Sequence, residues 1–275
     1  MSGRVGSITT DIIPDGLVFN MDAANRASTI PSGTTWFDTI GTNNGTLIND
    51  PLFDSGNISS IDFDGTDDYI SLGTTLGNSF TSITVSAWVN PEQLTQTSGQ
   101  RYYIIHGDDN SSGGASSVFN LLFGYLQNAT YYSNDFDGQY IIFGVRSTTQ
   151  TDGHRPISIA DNANAVKYIK GCAFGQNNTL IQEGVWVNVT GTYNGSESKI
   201  YINGILSGTS NSQPDSTNRS VSGTMKSSTT PRRISDSGAN TDFNGKISNT
   251  QIYNRALSST EVLHNYNALK GRFGL

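Results

Sequence analysis

Four aspartates lie close together in one stretch of the chain, IDFDGTDDYISLG at residues 61–73. Two glycines fall within the same thirteen positions. Carboxylates in this pattern serve three kinds of chemistry: acid–base catalysis, coordination of a cation, and turn closure through side-chain-to-backbone hydrogen bonds. Which of the three applies decides whether the chain is an enzyme, a binding module or a structural piece.

A metal interpretation assigns the aspartates to Ca²⁺, which is bound by carboxylate, amide and backbone oxygens on loops. The predicted ligands are Asp64, Asp67 and Asp242, the last beside the FNG turn, with Asp68 as a further contributor. The D-x-x-D-D run lacks the regular ligand spacing of an EF-hand. The other interpretation is a turn closed by Asp64, Gly65 and Asp67, with Asp68 pointing outward before the next strand.

Recognised catalytic patterns are missing from the sequence. It has three histidines without HExxH spacing, no G-x-S-x-G elbow and no phosphate-binding G-x-x-x-x-G-K-[ST] loop. The single cysteine, Cys172, lies in an apolar segment and has no partner for an intrachain disulfide. Glycoside hydrolysis needs two carboxyl groups about 5–9.5 Å apart, and no two glutamates are close in sequence. We predict no enzymatic activity, with a glycan-cleaving hydrolase as an alternative through residues distant in sequence.

Charge and hydropathy exclude two other classes. A formal net charge of −7 argues against nucleic acid binding, which needs clustered lysine and arginine. The one basic pair, Arg232-Arg233, is expected in a surface loop. No run approaches the roughly 18 apolar residues of a membrane span. The start, MSGRVGSITT, lacks the apolar core of a signal peptide, so the chain is expected to be made in a cytoplasm.

Strand patterns dominate the chain. In SITVSAWVNP (82–91) apolar residues alternate with Thr84, Ser86 and Trp88, which predicts a strand ended by Pro91. KIYINGILSG predicts a hairpin around Asn203-Gly204. Further strands are predicted at 17–21, 61–63, 69–72, 101–107, 117–126, 139–145, 165–174, 185–195 and 245–257.

One helix is predicted near the C-terminus. Ser258 and Glu261 have the spacing of a capping box, and Gly271 is expected to end the helix. About a dozen strands with hairpin-length connections favour an all-β fold, an antiparallel β-sandwich with one short C-terminal helix. We predict an N-terminal arm at 1–15 and one domain at 16–275, with enlarged loops between 92 and 182.

Four blocks in order carry a family resemblance: IDFDGTDDYISLG, SITVSAWVNP, GVWVNVTGTYNGSESKIYINGILSG and FNGKISNTQIYNRALSSTEV. Together they resemble the laminin-G-like branch of the concanavalin A-like lectin/glucanase superfamily, over about residues 16–265. The resemblance implies a jelly roll, and in many such domains one Ca²⁺. Relatives usually carry Asp-Glu after GKI, where this chain has Ser248, Asn249 and Thr250. The E-x-D-x-x-E catalytic strand of the glucanase relatives has no counterpart here.

The two ends of the chain carry a narrower resemblance. DGLVFNMDAANRAS and YNALKGRFGL are similar to jelly-roll structural proteins of tailed bacteriophages. This resemblance implies a place in the virion, as a fibre tip or capsid decoration, with other virion proteins as partners and a homo-oligomeric state. The alternative is a purely architectural subunit that binds no ligand.

Two polar segments are predicted to bind a host-surface glycan. Their residue types suit sugar hydroxyls and ring faces, and loop tips on a rigid sandwich are natural recognition sites. The predicted ligand-binding residues are Asp108, Asp109, Asn110, Tyr131, Tyr132, Asp135 and Asp137. The other interpretation is a solvated loop whose tyrosines pack on the sandwich. Trp88 and Trp186 are expected to pack against the sheets rather than to bind sugar.

Overall fold

A computed structural model of the chain describes its fold over several ranges. They are residues 11–28, 33–56, 58–94, 101–107, 118–126, 138–148, 157–161, 174–176, 181–209, 223–235 and 242–275. The strands in chain order are β1 Leu17–Asp22, β2 Thr35–Trp36, β3 Gly45–Ile48, β4 Leu52–Asp54, β5 Ser60–Asp64, β6 Tyr69–Ser71, β7 Ile83–Pro91, β8 Arg101–Gly107, β9 Phe119–Leu126, β10 Gly138–Val145, β11 Ile157–Asp161, β12 Phe174–Gln176, β13 Val187–Tyr193, β14 Ser198–Ile202, β15 Ile205–Thr209, β16 Arg232–Ile234 and β17 Asn244–Tyr253. Helix α1 spans Ser259–Leu269, and a 3-10 turn follows at Lys270–Phe273.

These strands form two sheets. Sheet A has the order β15-β14-β13-β7-β17-β5-β4, with β1 paired to β17, and sheet B has the order β12-β11-β10-β9-β8-β16-β6-β3-β2. All the pairings are antiparallel except β11 with β12. The predicted fold class is therefore confirmed. The predicted hairpin is also present, since β14 and β15 pair around Asn203 and Gly204, which have φ of 50° and 77°.

The core lies between the two sheets. The predicted alternation in β7 is confirmed, because its inward side chains are fully buried: Ile83, Val85, Ala87 and Val89. Gly191 of β13 packs directly against β10 of the other sheet. A Cβ atom there would lie 2.1 Å from Cγ of Phe143 on β10, far inside van der Waals contact. Only a residue without a side chain lets the Phe143 ring pack on the backbone of β13 at this distance.

The outer face of sheet A is covered as well. The outward residues of β7, Thr84, Ser86 and Trp88, are at most 6% exposed. The Trp88 ring stacks on Phe273 of the C-terminal 3-10 turn, with centroids 4.0 Å apart. Trp186 is half-buried and contacts the same ring at 5.0 Å. Both tryptophans therefore pack on the sheet, as predicted, and strand β7 is buried on both faces.

Helix α1 begins at the predicted capping box. The Ser258 hydroxyl accepts a hydrogen bond from the Glu261 backbone N–H, and the Glu261 carboxylate accepts one from the Ser258 N–H. The predicted end at Gly271 is wrong. The chain continues into the 3-10 turn, and Gly274, with φ of 77°, stops it. This extra turn brings Phe273 over Trp88.

The expectation that Arg232-Arg233 decorates a loop is also wrong. Both residues belong to β16, and Arg232 is fully buried. Its guanidinium donates to the Leu76 and Thr230 carbonyl oxygens and to the Asn78 amide oxygen. The Arg233 guanidinium lies 4.7 Å from the centre of the Tyr69 ring. The pair therefore stabilises sheet B rather than forming a basic surface.

Residues 11–15, the end of the predicted N-terminal arm, pack on α1. The Ile13 N–H donates to the Asn265 side chain at 2.8 Å, and the His264 ring lies 2.9 Å from the Asp11 carbonyl oxygen. Residues 1–10 lie outside the described residues, as does all of the strand predicted at 165–174 except Phe174, including Cys172. Within the described ranges, no helix has the length and apolar character needed to cross a membrane.

Candidate functional site

The acidic turn, residues 64–68, joins the two sheets. Strand β5 of sheet A ends at Asp64, and β6 of sheet B begins at Tyr69. Asp64 also pairs with Asn244, the first residue of β17. Gly65 has a φ of +74°. Because glycine has no side chain, Asn244 can pack closely against it. Both sheets therefore hold the turn in place, at the edge where β6 and β17 begin.

Local hydrogen bonds close this turn. The Asp64 carboxylate accepts from the Thr66 N–H at 2.8 Å, and the Asp68 carboxylate accepts from the Asp64 N–H at 3.1 Å. The Asn49 side chain donates to the Asp67 carbonyl oxygen from the neighbouring loop. The bonds that the turn interpretation requires are present. Asn49 was not foreseen, because nothing in the sequence indicates that the β3–β4 connection reaches this turn.

Asp68 does not point outward as expected. Its side chain is only 5% exposed. Burial raises the pKa of Asp68 to about 6, and the nearby charges of Asp64, Asp67 and Asp50 act in the same direction. The hydrogen bond from the Asp64 N–H opposes the shift without cancelling it. The turn therefore holds like charges close together, an arrangement that a cation would relieve.

The geometry fits a calcium ion. One carboxylate oxygen from each of Asp64, Asp67 and Asp68 lies within 4.8 Å of the other two. Oxygens that share one Ca²⁺ at about 2.3–2.6 Å can be at most about 5 Å apart. Asp64 and Asp67 are exposed, so water can supply further oxygens. These three aspartates would hold the ion.

Asp242, the third predicted ligand, does not belong to this group of carboxylates. It is 5% exposed and precedes Phe243, whose N–H bonds to the Ser235 carbonyl oxygen. The residues that replace the usual acidic pair after GKI have structural contacts instead. The Asn249 side chain is 1% exposed and donates to Asn20 Oδ1 and to the Met21 carbonyl oxygen.

The predicted glycan-binding residues lie outside the described ranges: Asp108, Asp109, Asn110, Tyr131, Tyr132, Asp135 and Asp137. Their flanking strands are described. Residues 108–117 connect β8 to β9, where Gly107 pairs with Phe119. Residues 127–137 connect β9 to β10, where Leu126 pairs with Gly138. The two segments are thus attached at opposite ends of β9, about 24 Å apart.

Only one of these segments is attached at the edge that carries the acidic turn. Strands β6, β16, β8 and β9 are antiparallel neighbours, so β6 begins at the edge where β9 ends. Leu126 lies three strands away from Tyr69 across sheet B and about four residues further along the strand direction. The two residues are therefore roughly 20 Å apart. The segment 127–137 and the acidic turn are therefore attached at the same end of the sandwich.

Several solved structures resemble this fold. No curated protein matches the chain in sequence. Domain 4 of AbnA, an extracellular GH43 arabinanase from Geobacillus stearothermophilus solved in complex with arabinotriose, is 19% identical with a TM-score of 0.55, over 91% of this chain and 98% of that domain. The binding domain of Paraclostridial Mosquitocidal Protein 1 is 16% identical with a TM-score of 0.60, over 92% of this chain and 52% of that one. Trypanosoma rangeli sialidase is 14% identical with a TM-score of 0.57, over 94% of this chain and 33% of the enzyme.

The chain thus spans about half of the mosquitocidal protein's binding domain and a third of the sialidase. At these identities the likeness concerns the fold alone. The family comparison goes further. A laminin G family model, described as the concanavalin A-like lectin/glucanases superfamily, matches residues 125–263, just over half of the chain. The chain therefore belongs to the concanavalin A-like lectin/glucanases superfamily.

Proposed function

We propose that the chain is a non-catalytic carbohydrate-binding module that recognises a glycan at the edge of the sandwich carrying the acidic turn. One observation supports this most: three carboxylate oxygens lie within 4.8 Å of one another on a turn held by both sheets. The segment 127–137, with Tyr131 and Tyr132, is attached at the same edge. A rigid sandwich with polar groups and aromatic rings at one edge suits sugar recognition.

Comparison with solved structures favours carbohydrate as the ligand. The match to domain 4 of AbnA covers nearly all of that domain, which was solved with arabinotriose. The carboxylates of the acidic turn suit a binding role better than catalysis, because Asp64 and Asp68 are engaged in backbone hydrogen bonds. The proposed chemistry is therefore recognition of hydroxyl groups, without bond cleavage.

The first experiment measures glycan binding on an array with the full chain. We expect binding to a defined set of polysaccharides or oligosaccharides, and loss of that binding when Tyr131 and Tyr132 are replaced by alanine. The matched control is Tyr266→Ala, since this half-buried ring lies on α1 and stacks on Trp88 at the outer face of sheet A. Binding that persists in the double variant would place the sugar elsewhere.

Calcium is the proposed metal of this site. Isothermal titration of Ca²⁺ into chelator-treated protein should give one site per chain, and Asp67→Asn should weaken it at least tenfold. Asp67 is exposed and closes the turn through its backbone carbonyl, so the turn should survive the change. Glu197→Gln is the matched control, because Glu197 lies beyond β13 at the opposite end of sheet A. Equal affinities in both variants would rule out this ligand set.

We place the module on a virion surface, as a fibre tip or a capsid decoration, on the likeness of the chain ends to phage structural proteins. An antibody against the chain should then label purified particles in electron micrographs. Removing residues 1–10 tests whether the arm docks onto other virion proteins, because the contacts of residues 11–15 with α1 are kept. A truncated chain that still enters particles and still binds glycan would exclude a purely architectural role for the arm.

A further inference from the structure

A cleft of about 980 Å³ opens on the outer face of sheet A. One wall is formed by residues 11–17, and the other by the end of α1 and the 3-10 turn. Strands β1 and β17 form its floor, with Gln251 of β17 beside Asn20 of β1. The volume is at the upper end of the roughly 300–1,000 Å³ typical of small-molecule sites.

Gln251 is the distinctive residue of the floor. Its side chain is 98% buried, since only 2% is exposed, and it faces the cleft. The described part of the chain supplies no hydrogen-bond partner for its amide group. Buried amides almost always have such partners, because leaving one without a partner is costly. A donor and an acceptor therefore point into the cleft ready for a ligand.

The two cross-strand neighbours of Gln251, Asn20 and Ser86, have hydrogen-bond partners. Asn20 donates to the Thr39 hydroxyl and accepts from Asn249. On the other side, the Ser86 hydroxyl is 2.8 Å from that of Thr190. The Gln251 amide thus lies unpaired between two paired side chains of the outer face; among the described residues, Thr250 Oγ1 and Arg272 Nε are also buried without a partner nearby.

The walls of the cleft are held firmly. Arg272 donates from Nη1 to both carboxylate oxygens of Asp22, at 2.8 and 2.9 Å. The bonds of Ile13 to Asn265 and of Asp11 to His264 tie the opposite wall to α1. A cleft with such fixed walls needs little ordering when a ligand binds.

The lining also indicates the class of ligand. Its charged side chains are two carboxylates and one guanidinium whose Nη1 is paired with Asp22, so the net negative charge of the lining disfavours an anionic ligand. The amide groups of Gln251 and Asn267 provide donors and acceptors. Apolar surface lies between them, on residues such as Ile40 and Leu269. A neutral sugar matches this pattern, because its hydroxyl groups surround the apolar face of its ring.

We propose that the cleft is a second carbohydrate site that binds a neutral oligosaccharide, with the Gln251 amide hydrogen-bonded to its hydroxyl groups. The inference rests on the proposed carbohydrate-binding function but places a site on the outer face of sheet A, away from the acidic turn.

The test uses the full chain and three neutral probes, arabinotriose, maltotriose and cellotriose, with 3′-sialyllactose as the acidic comparison. Binding is measured by calorimetry and by the nitrogen-15 NMR signals of the side-chain amides. At least one neutral probe should shift the Gln251 amide signals, and Gln251→Leu should weaken its binding at least tenfold. The melting temperature of Gln251→Leu should stay equal or rise, because the amide makes no bond within the fold.

Two further variants locate the site. Asn267→Ala, at the exposed rim of the cleft, should also weaken binding, whereas Asn254→Ala, on an exposed residue outside the cleft, should leave it unchanged. A loss of stability in Gln251→Leu without a change in affinity would overturn the inference. So would a shift of the Gln251 signals by the acidic probe alone.

The two proposals fail in different ways. If replacing Tyr131 and Tyr132 abolishes glycan binding but Gln251→Leu does not affect it, the proposed function is supported and the cleft is not a carbohydrate site. If no probe and no array glycan binds, the proposed function and the cleft inference both fall.

Discussion

At the scale of single residues, Asp68 governs the character of the acidic turn. It is the buried member of three clustered carboxylates, and its pKa of about 6 follows from burial and from like charges. The sequence could not reveal this, because the position of Asp68 before a strand is compatible with either direction of the side chain. Burial depends on where β6 joins sheet B, which is a property of the whole fold.

We predict that Asp68→Asn stabilises the metal-free protein. A carboxyl whose pKa is raised from 3.8 to about 6 on folding favours the folded state less and less as pH rises through that window. At pH 7 the charge should cost up to about 3 kcal/mol, and asparagine keeps the acceptor for the Asp64 N–H. Urea unfolding in chelator should show a gain of about 1–3 kcal/mol at pH 7 and no difference below pH 4. A loss of stability at pH 7 would contradict this description of the turn.

Gly191 is the residue on which the spacing of the sheets depends. We predict that Gly191→Ala destabilises the protein by about 3 kcal/mol or more, because its Cβ would overlap the Phe143 ring. Gly271→Ala is the control, since a Cβ there meets nothing within 4 Å. Thermal unfolding of both variants measures the difference. Equal melting temperatures would mean that the sheets can separate locally at little cost.

At the scale of elements, the sequence predicted where strands occur more reliably than which segments cover their outer faces. The alternation in β7 predicted a strand with one apolar face, and the strand is there. Its polar outward face is buried as well, because the C-terminal segment crosses it. Helical spacing indicated α1 but not the 3-10 turn after it. The position of that turn depends on the contact of Phe273 with Trp88, which lies 185 positions earlier in the chain.

The cap of α1 gives a prediction with a defined pH dependence. The hydrogen-bonded guanidinium of Arg255 lowers the pKa of Glu261 to about 2, and the Ser258 N–H and hydroxyl add to the shift. A carboxylate whose pKa falls on folding stabilises the fold above its ordinary pKa of 4.5, and that stabilisation is lost as pH falls towards 2.

Glu261→Gln should therefore cost about 1–3 kcal/mol at pH 7 and almost nothing near pH 2. Ser258→Ala, which removes the other half of the cap, should cost about 1 kcal/mol. Denaturant titrations across this pH range measure both effects. A cost for Glu261→Gln that does not change with pH would mean that its charge plays no part.

At the scale of the whole molecule, the sequence predicted a sandwich but not how its strands pair. Two polar segments looked like parts of one glycan site. The register of β8, β9 and β10 instead attaches them at opposite ends of β9. Similarly, the sequence indicates only that Gln251 is an outward residue of β17. It lines a cleft because residues 11–17 and the C-terminal segment pack on either side of it. Both features arise from contacts between residues that are far apart in sequence.

The central claim is that this sandwich holds carbohydrate without cleaving it. The most direct test incubates the full chain with the array polysaccharide that it retains best, and measures bound protein and released reducing ends in the same sample. We predict retention that saturates, with no release above a protein-free blank over a day. Release of reducing ends, or the absence of retention by any polysaccharide, would contradict the account.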